Sequence, residues 1–207
     1  MKNDLFSIGP FTVHGYGLMI AIGVLSAYYM VEYRAKKKQM DWEKVFPLTV
    51  WSVLGGFLGS KILYLLTRLP DILANPALLG SSIKDGFVVY GGIIGGILTA
   101  WIYCKCTKWN FWKIFDIAMP AVAMAQGFGR IGCLLAGCCY GRELDSANPM
   151  AIVFHNSAYA PNDVALLPTQ IISSVLDFAN CFVLLALSKK LKTDGQVASC
   201  YLIFYSI

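Results

Sequence analysis

Charge is scarce in this chain: Asp, Glu, Lys and Arg together make up 14% of its 207 residues, against 57% hydrophobic. A soluble domain carries about a quarter charged residues. The deficit excludes a disordered chain, and it excludes a water-soluble globule. The formal charge of +5 comes from 17 Lys and Arg against 12 Asp and Glu. So small and scattered an excess gives no footprint for nucleic acid. No basic n-region precedes the first apolar run, which follows Asp4, Pro10 and His14, and no small-residue cleavage site precedes Glu32. The run therefore reads as a retained helix and not as a cleaved signal peptide. The seven cysteines are too few for a disulfide-stapled miniprotein and odd in number, and no pair has the four-ligand spacing of a zinc site. Cys133, Cys138 and Cys139 fall at the outer end of the fourth apolar run, where oxidation is possible; the expected role of the cysteines is that of small buried apolar residues in preference to a metal or redox site, with no metal and no cofactor.

What the chain does have is long apolar runs. They fall at residues 13–33, 45–67, 86–104, 115–135 and 169–188, and a sixth begins near 196 and runs to 207. A run of about 20 apolar residues spans a ~30 Å hydrocarbon core as a helix. The expected fold is an all-α, polytopic membrane bundle forming a single domain over 1–207, with its sixth span incomplete as it stands. Orientation follows from the basic residues. Eleven of the 17 lie in the connections at 33–44, 105–113 and 189–194, four lie on the other side (Lys2, Arg68, Lys84 and Arg142), and Lys61 and Arg130 lie inside spans. The positive-inside rule then places the N-terminus outside the cytoplasm.

This topology converts sequence position into depth. His14, Tyr16, Lys61, Tyr90, Arg130 and Gln170 are expected in the outer half of the bilayer, with Asp177 about two turns deeper than Gln170. Asp116 is expected at the cytoplasmic boundary beside Lys113. Arg130 is the leading candidate, because an arginine at a helix centre costs about 2.5–3.5 kcal/mol even on the lenient insertion scale. Two readings of it stand: an internal ion pair with Asp177, or a guanidinium gripping a lipid phosphate through its planar fork. Lys61 either assists or snorkels. Gly127, Gly129 and Gly132 spell G-x-G-x-x-G, but no strand precedes them, so a dinucleotide loop is set aside. The pairs Gly55/Gly59, Gly56/Ser60, Gly91/Gly95 and Gly92/Gly96 are small-xxx-small faces for helix packing. Beside the Tyr90 phenol, Gly91 and Gly92 also leave room for a substrate. His155, in the 140–168 connection, is a candidate base by residue type alone and otherwise a surface histidine.

Four segments carry a resemblance. HGYGLMIAIG near the start, GFVVYGGIIGG in the third run, GRIGCLLAGCCYG at 129–141 and LPTQ at 167–170 resemble, in order, the bacterial prolipoprotein diacylglyceryl transferases. The resemblance implies a multi-pass enzyme of the bacterial inner membrane with its active site facing the outer leaflet. Its reaction would move a diacylglyceryl group from phosphatidylglycerol to the lipobox cysteine of a prolipoprotein signal peptide and release glycerol phosphate. Arg130 and Tyr16 carry over from the family pattern. Tyr90 stands where the family has His, and Cys133, Ala136 and Cys138 stand where its signature has Asn, Asn and Glu, while Gly141 is kept. The family's late Arg and Glu are expected beyond Ile207. The expected catalytic residues are Arg130 and Tyr90. Tyr16, Lys61, Gly91, Gly92, Gln126, Gly129, Gly141 and Gln170 are expected to bind substrate. The alternatives are a lipid transferase of the same fold with another acceptor, and a non-catalytic lipid-binding or transport protein.

Overall fold

The structure is a computed structural model that describes residues 4–8, 11–75, 86–145, 147–191 and 193–206. Lys2, Lys84, Lys192 and Ile207 lie outside them. In chain order the elements are β1 (Asp4–Ile8), β2 (Phe11–His14), α1 (Gly15–Lys37), a 3-10 turn (Trp42–Lys44), α2 (Val45–Thr67) and α3 (Leu69–Ala74). They continue with α4 (Val89–Cys106), α5 (Phe111–Ala136), β3 (Ile152–Val153), β4 (Ala165–Leu166), α6 (Thr169–Leu187) and α7 (Gln196–Ser206). The helices α1, α2, α4, α5 and α6 are each long and apolar enough to cross a membrane, while α7 is shorter. Five such helices with almost no strand make the protein an all-α polytopic membrane bundle. The exposed residues agree. Phe46, Trp51, Phe57, Leu58 and Leu66 of α2 are each more than half exposed, a pattern suited to lipid and costly in water.

The chain divides into two compact units, Ala35–Ile114 and the remainder, Met1–Arg34 with Phe115–Ile207. The first unit is a helical pair. A Cβ built on Gly91 would meet the Gly59 carbonyl oxygen, one on Gly95 would meet that of Gly55, and one on Gly92 would meet Ser60 Oγ at 2.5 Å. The small faces read from the sequence thus pack against each other, so that two backbones approach where lipid offers no hydrophobic drive. At one end Leu48, Cys104 and Ile114 form a buried cluster with Trp109 and Phe111 around it. Here the Tyr103 hydroxyl donates to the Lys44 carbonyl at 3.2 Å.

The second unit holds the polar interior. Arg34, Asp116, Gln170, Ser174 and Asp177 are its buried polar side chains. Arg34 corrects the sequence reading, which placed it in the basic 33–44 connection. It lies within α1, 7% exposed, because its Nη2 donates to the Asp116 carbonyl at 3.5 Å. The Asp116 carboxylate in turn accepts from the Gly195 and Ala198 amides at 2.8 and 2.9 Å. It therefore caps α7 from α5, satisfying amides that a helix start leaves unpaired. Beside it Met119, Ala123, Cys181, Leu184, Val197, Ala198 and Tyr201 form a core shared by α5, α6 and α7. The 137–168 connection folds over Phe154, Ala160 and Leu166 and is pinned by the β3–β4 pairing.

Candidate functional site

The C-terminal half of α5 organises the site of the second unit. Its G-x-G-x-x-G is a packing surface: a Cβ on Gly127 would meet the Phe178 ring of α6 at 2.9 Å, and one on Gly132 would meet the Tyr16 ring of α1 at 3.1 Å. The Ser174 hydroxyl donates to the Gly127 carbonyl at 3.0 Å, fixing α6 against the same turn. Gly129 is different, since a Cβ there would meet nothing within 4 Å. The next residue is Arg130, half-buried. Among the described residues no carboxylate lies within ion-pair distance of its guanidinium. Asp177, 8% exposed, interacts with it only over a longer range. Of the two readings of Arg130, the direct ion pair is thus not formed among the described residues.

One turn further on, α5 ends. Gly137 has φ +72°, its amide donates to the Leu134 carbonyl at 3.1 Å, and the Cys138 amide reaches back to the Cys133 carbonyl at 3.0 Å. This is a Schellman cap with glycine at its left-handed position. Such a cap sets the side chain after the glycine against the one five residues earlier, here Cys138 against Cys133. Cys139, itself left-handed at φ 60° and exposed, brings a third thiol beside them, and all three Sγ atoms lie within 4.8 Å of one another. In the connection, burial first and then the charge and hydrogen bonding of its neighbour thiols push the Cys138 thiol up to about 12. The Tyr16 phenol interacts electrostatically with all three sulfurs. Sequence spacing did not reveal this convergence; the Ala-Gly-Cys-Cys helix stop was the signal that carried it.

The loop is strapped to α6. Gln170 Nε2 donates to the Cys138 carbonyl and Thr169 Oγ1 to the Cys139 carbonyl, both at 2.7 Å. The Gly141 amide donates to the Leu167 carbonyl at 3.0 Å, and a Cβ there would meet Thr169 Cγ2 at 2.7 Å. Gln170 is 1% exposed, and its Oε1 accepts no hydrogen bond among the described residues. Tyr16, Arg130, Gly141 and Gln170 therefore belong to one end of this unit. Gln126 serves the fold, accepting from the Tyr201 hydroxyl at 2.8 Å. His14 ends β2. His155 is exposed and pairs with Asp163 at 2.7 Å, the surface alternative of the two weighed for it.

In the glycine-packed unit, Lys61 Nζ donates to the Gly86 carbonyl at 3.2 Å and stands over the Phe87 ring at 4.6 Å. Tyr90, in the first turn of α4, is 75% exposed. The space beside Gly91 and Gly92 is taken by α2, through Gly59 and Ser60.

Five apolar helices, with a half-buried arginine on one of them that no carboxylate among the described residues pairs, define a polytopic membrane protein. Comparison with known proteins makes this specific. The family described as prolipoprotein diacylglyceryl transferase matches residues 3–207. A phosphatidylglycerol–prolipoprotein diacylglyceryl transferase of Clostridium tetani is 42% identical over 207 residues, covering 100% of this chain and 82% of its own. A second such transferase of Clostridium perfringens is also 42% identical, covering 100% and 80%. One of Dehalococcoides mccartyi is 31% identical over 202 residues, covering 97% and 76%. The chain belongs to the prolipoprotein diacylglyceryl transferase family and is a membrane transferase.

Proposed function

We propose that the protein transfers the diacylglyceryl group of phosphatidylglycerol to the cysteine thiol of a prolipoprotein lipobox, from the outer leaflet of the bacterial inner membrane. The acceptor sulfur, as thiolate, attacks the glyceryl carbon that bears the phosphoester. A carbon–sulfur bond forms, the carbon–oxygen bond breaks, and its electron pair leaves on the oxygen of glycerol phosphate. The site must therefore supply a thiolate and stabilise charge on the departing phosphate. Arg130 suits the second task, since a guanidinium presents paired donors to phosphate oxygens. Tyr16 and Gln170, at the same end of the unit, line the approach.

Tyr90 is assigned to positioning the acceptor by a hydrogen bond. Lys61, held by the Gly86 carbonyl, steadies the turn that presents Tyr90. The observation that carries the proposal is the Arg130 guanidinium, placed in the family's Gly-Arg-x-Gly motif with no carboxylate paired to it among the described residues.

The test incubates the protein with phosphatidylglycerol and a lipobox peptide and reads the peptide mass. A diacylglyceryl increment on the cysteine is expected. Lipid binding with no increment would sink the transferase reading in favour of a lipid-binding protein, and an increment only on other thiols would identify a different acceptor.

A further inference from the structure

We propose that Cys133, Cys138 and Cys139 form a three-thiolate site for one thiophilic cation of the zinc class, whose fourth position takes the acceptor cysteine. The inference rests on the transfer reaction proposed above and concerns how the acceptor thiol becomes a thiolate.

The geometry is that of a ligand set. A zinc ion held at ~2.3 Å from each sulfur in a tetrahedral arrangement separates the sulfurs by ~3.8 Å. The three Sγ atoms already lie within 4.8 Å of one another, the one such convergence of metal-ligating side chains among the described residues. Backbone structure holds them there. The Schellman cap opposes Cys138 to Cys133, the left-handed Cys139 delivers the third sulfur, and Thr169 and Gln170 clamp the carbonyls of the vicinal pair. A non-glycine residue at φ 60° is a conformation with a cost, and here it places a sulfur. Three protein ligands with a position left open is the coordination of reactive zinc, whereas structural zinc is closed by four.

The chemistry fits the activation of the acceptor thiol. A thiol that coordinates zinc gives up its proton. The acceptor thiol would enter the fourth position, release its proton to solvent and remain a nucleophilic thiolate. It would then attack the glyceryl carbon, the carbon–oxygen electron pair would leave with glycerol phosphate, and the thioether formed, a weaker ligand, would dissociate. No electron is gained or lost by the metal. Position supports the pairing of tasks, since Arg130 and Cys133, three residues apart on α5, share a helix face. The metal-held nucleophile and the cation for the leaving phosphate would thus be neighbours.

The experiment titrates the reduced, full-length protein in phosphatidylglycerol nanodiscs with Co2+, then Zn2+. One cobalt per chain is expected, with the intense near-ultraviolet thiolate-to-cobalt band and the visible bands of a tetrahedral site, bleached by zinc. Cys133→Ser and Cys138→Ser should each weaken binding at least tenfold, and Cys106→Ser, which alters an exposed cysteine elsewhere, should not. Addition of a lipobox peptide should strengthen the band, and its Cys-to-Ser counterpart should leave it unchanged. Thermal unfolding separates loss of the site from loss of the fold, with the exposed Cys139→Ala as the milder variant. Absence of a thiolate–cobalt band in folded protein, or a band that survives in the Cys133→Ser/Cys138→Ser double variant, overturns the site. A band indifferent to the cysteine peptide overturns the activating role. If the metal binds as described but the zinc-loaded protein transfers no diacylglyceryl group, the transfer reaction itself is at fault.

Discussion

The two units solve the same problem in different ways. Residues 35–114 pair α2 with α4 through glycine and serine, and many of the large apolar side chains of those helices are exposed. The other unit buries an arginine, two aspartates, a glutamine and a serine. A membrane offers little hydrophobic drive between helices, so association must come from close backbone packing or from polar contact. One unit uses the first device and one the second. The second concentrates groups that can hold an anion or a cation, which is why the phosphate contact and the metal site are assigned there.

Arg130→Ala is the sharpest way to break this contrast. Removing a donor for a developing anion costs about 10²–10³-fold in rate, measured as diacylglyceryl transfer to a lipobox peptide, and Arg130→Lys should recover only part of it. A variant that retains full rate would remove the polar unit's claim to the chemistry. Gly91→Leu attacks the other unit. Its side chain would press on the Gly59 backbone, and overpacking of ~1–3 kcal/mol should appear as a lowered unfolding temperature in detergent. An unchanged temperature would mean that close backbone packing does not hold the pair.

Asp116→Ala tests the polar unit's stability apart from its activity. Loss of a helix cap costs about 0.5–2 kcal/mol, and thermal unfolding should fall accordingly while bound lipid is retained. Tyr90→Phe should slow transfer by about 5–10-fold, the value of one hydrogen bond near ~1 kcal/mol. If it turns over at the parent rate, the positioning role fails. Least of all, His155→Ala should leave transfer unchanged, because the His155–Asp163 pair lies on the surface; a loss of rate would put that pair into the site.

The helices were legible because apolar length is a coarse signal that local detail does not erase. The 45–67 run is α2 residue for residue, and 169–188 is α6 to within its last position. Edges moved where side chains met backbone. α5 starts at Phe111 and not at 115, because Asn110 Oδ1 accepts from the Trp112 and Lys113 amides at 3.0 and 3.4 Å. α1 runs on through Arg34 to Lys37, since that guanidinium finds a buried carbonyl, and it stops before Gln39, whose φ is 54°. The β1–β2 hairpin, without an apolar run, went unread. Within the site, Arg130 was legible from its cost in a membrane. The thiol cluster was not, because residues five and six apart come together only once a left-handed glycine ends the helix.

The Asp116 cap has a consequence for the order of assembly. Its carboxylate accepts amides 79 and 82 residues later in the chain, and Arg34, which donates to the same residue's carbonyl, precedes it by 82. During synthesis the arginine emerges first, the aspartate second and the amides last. Each group is costly to leave unpaired in an apolar setting, so each arrival satisfies one already in place. The start of α7 thus has a berth prepared before it leaves the ribosome.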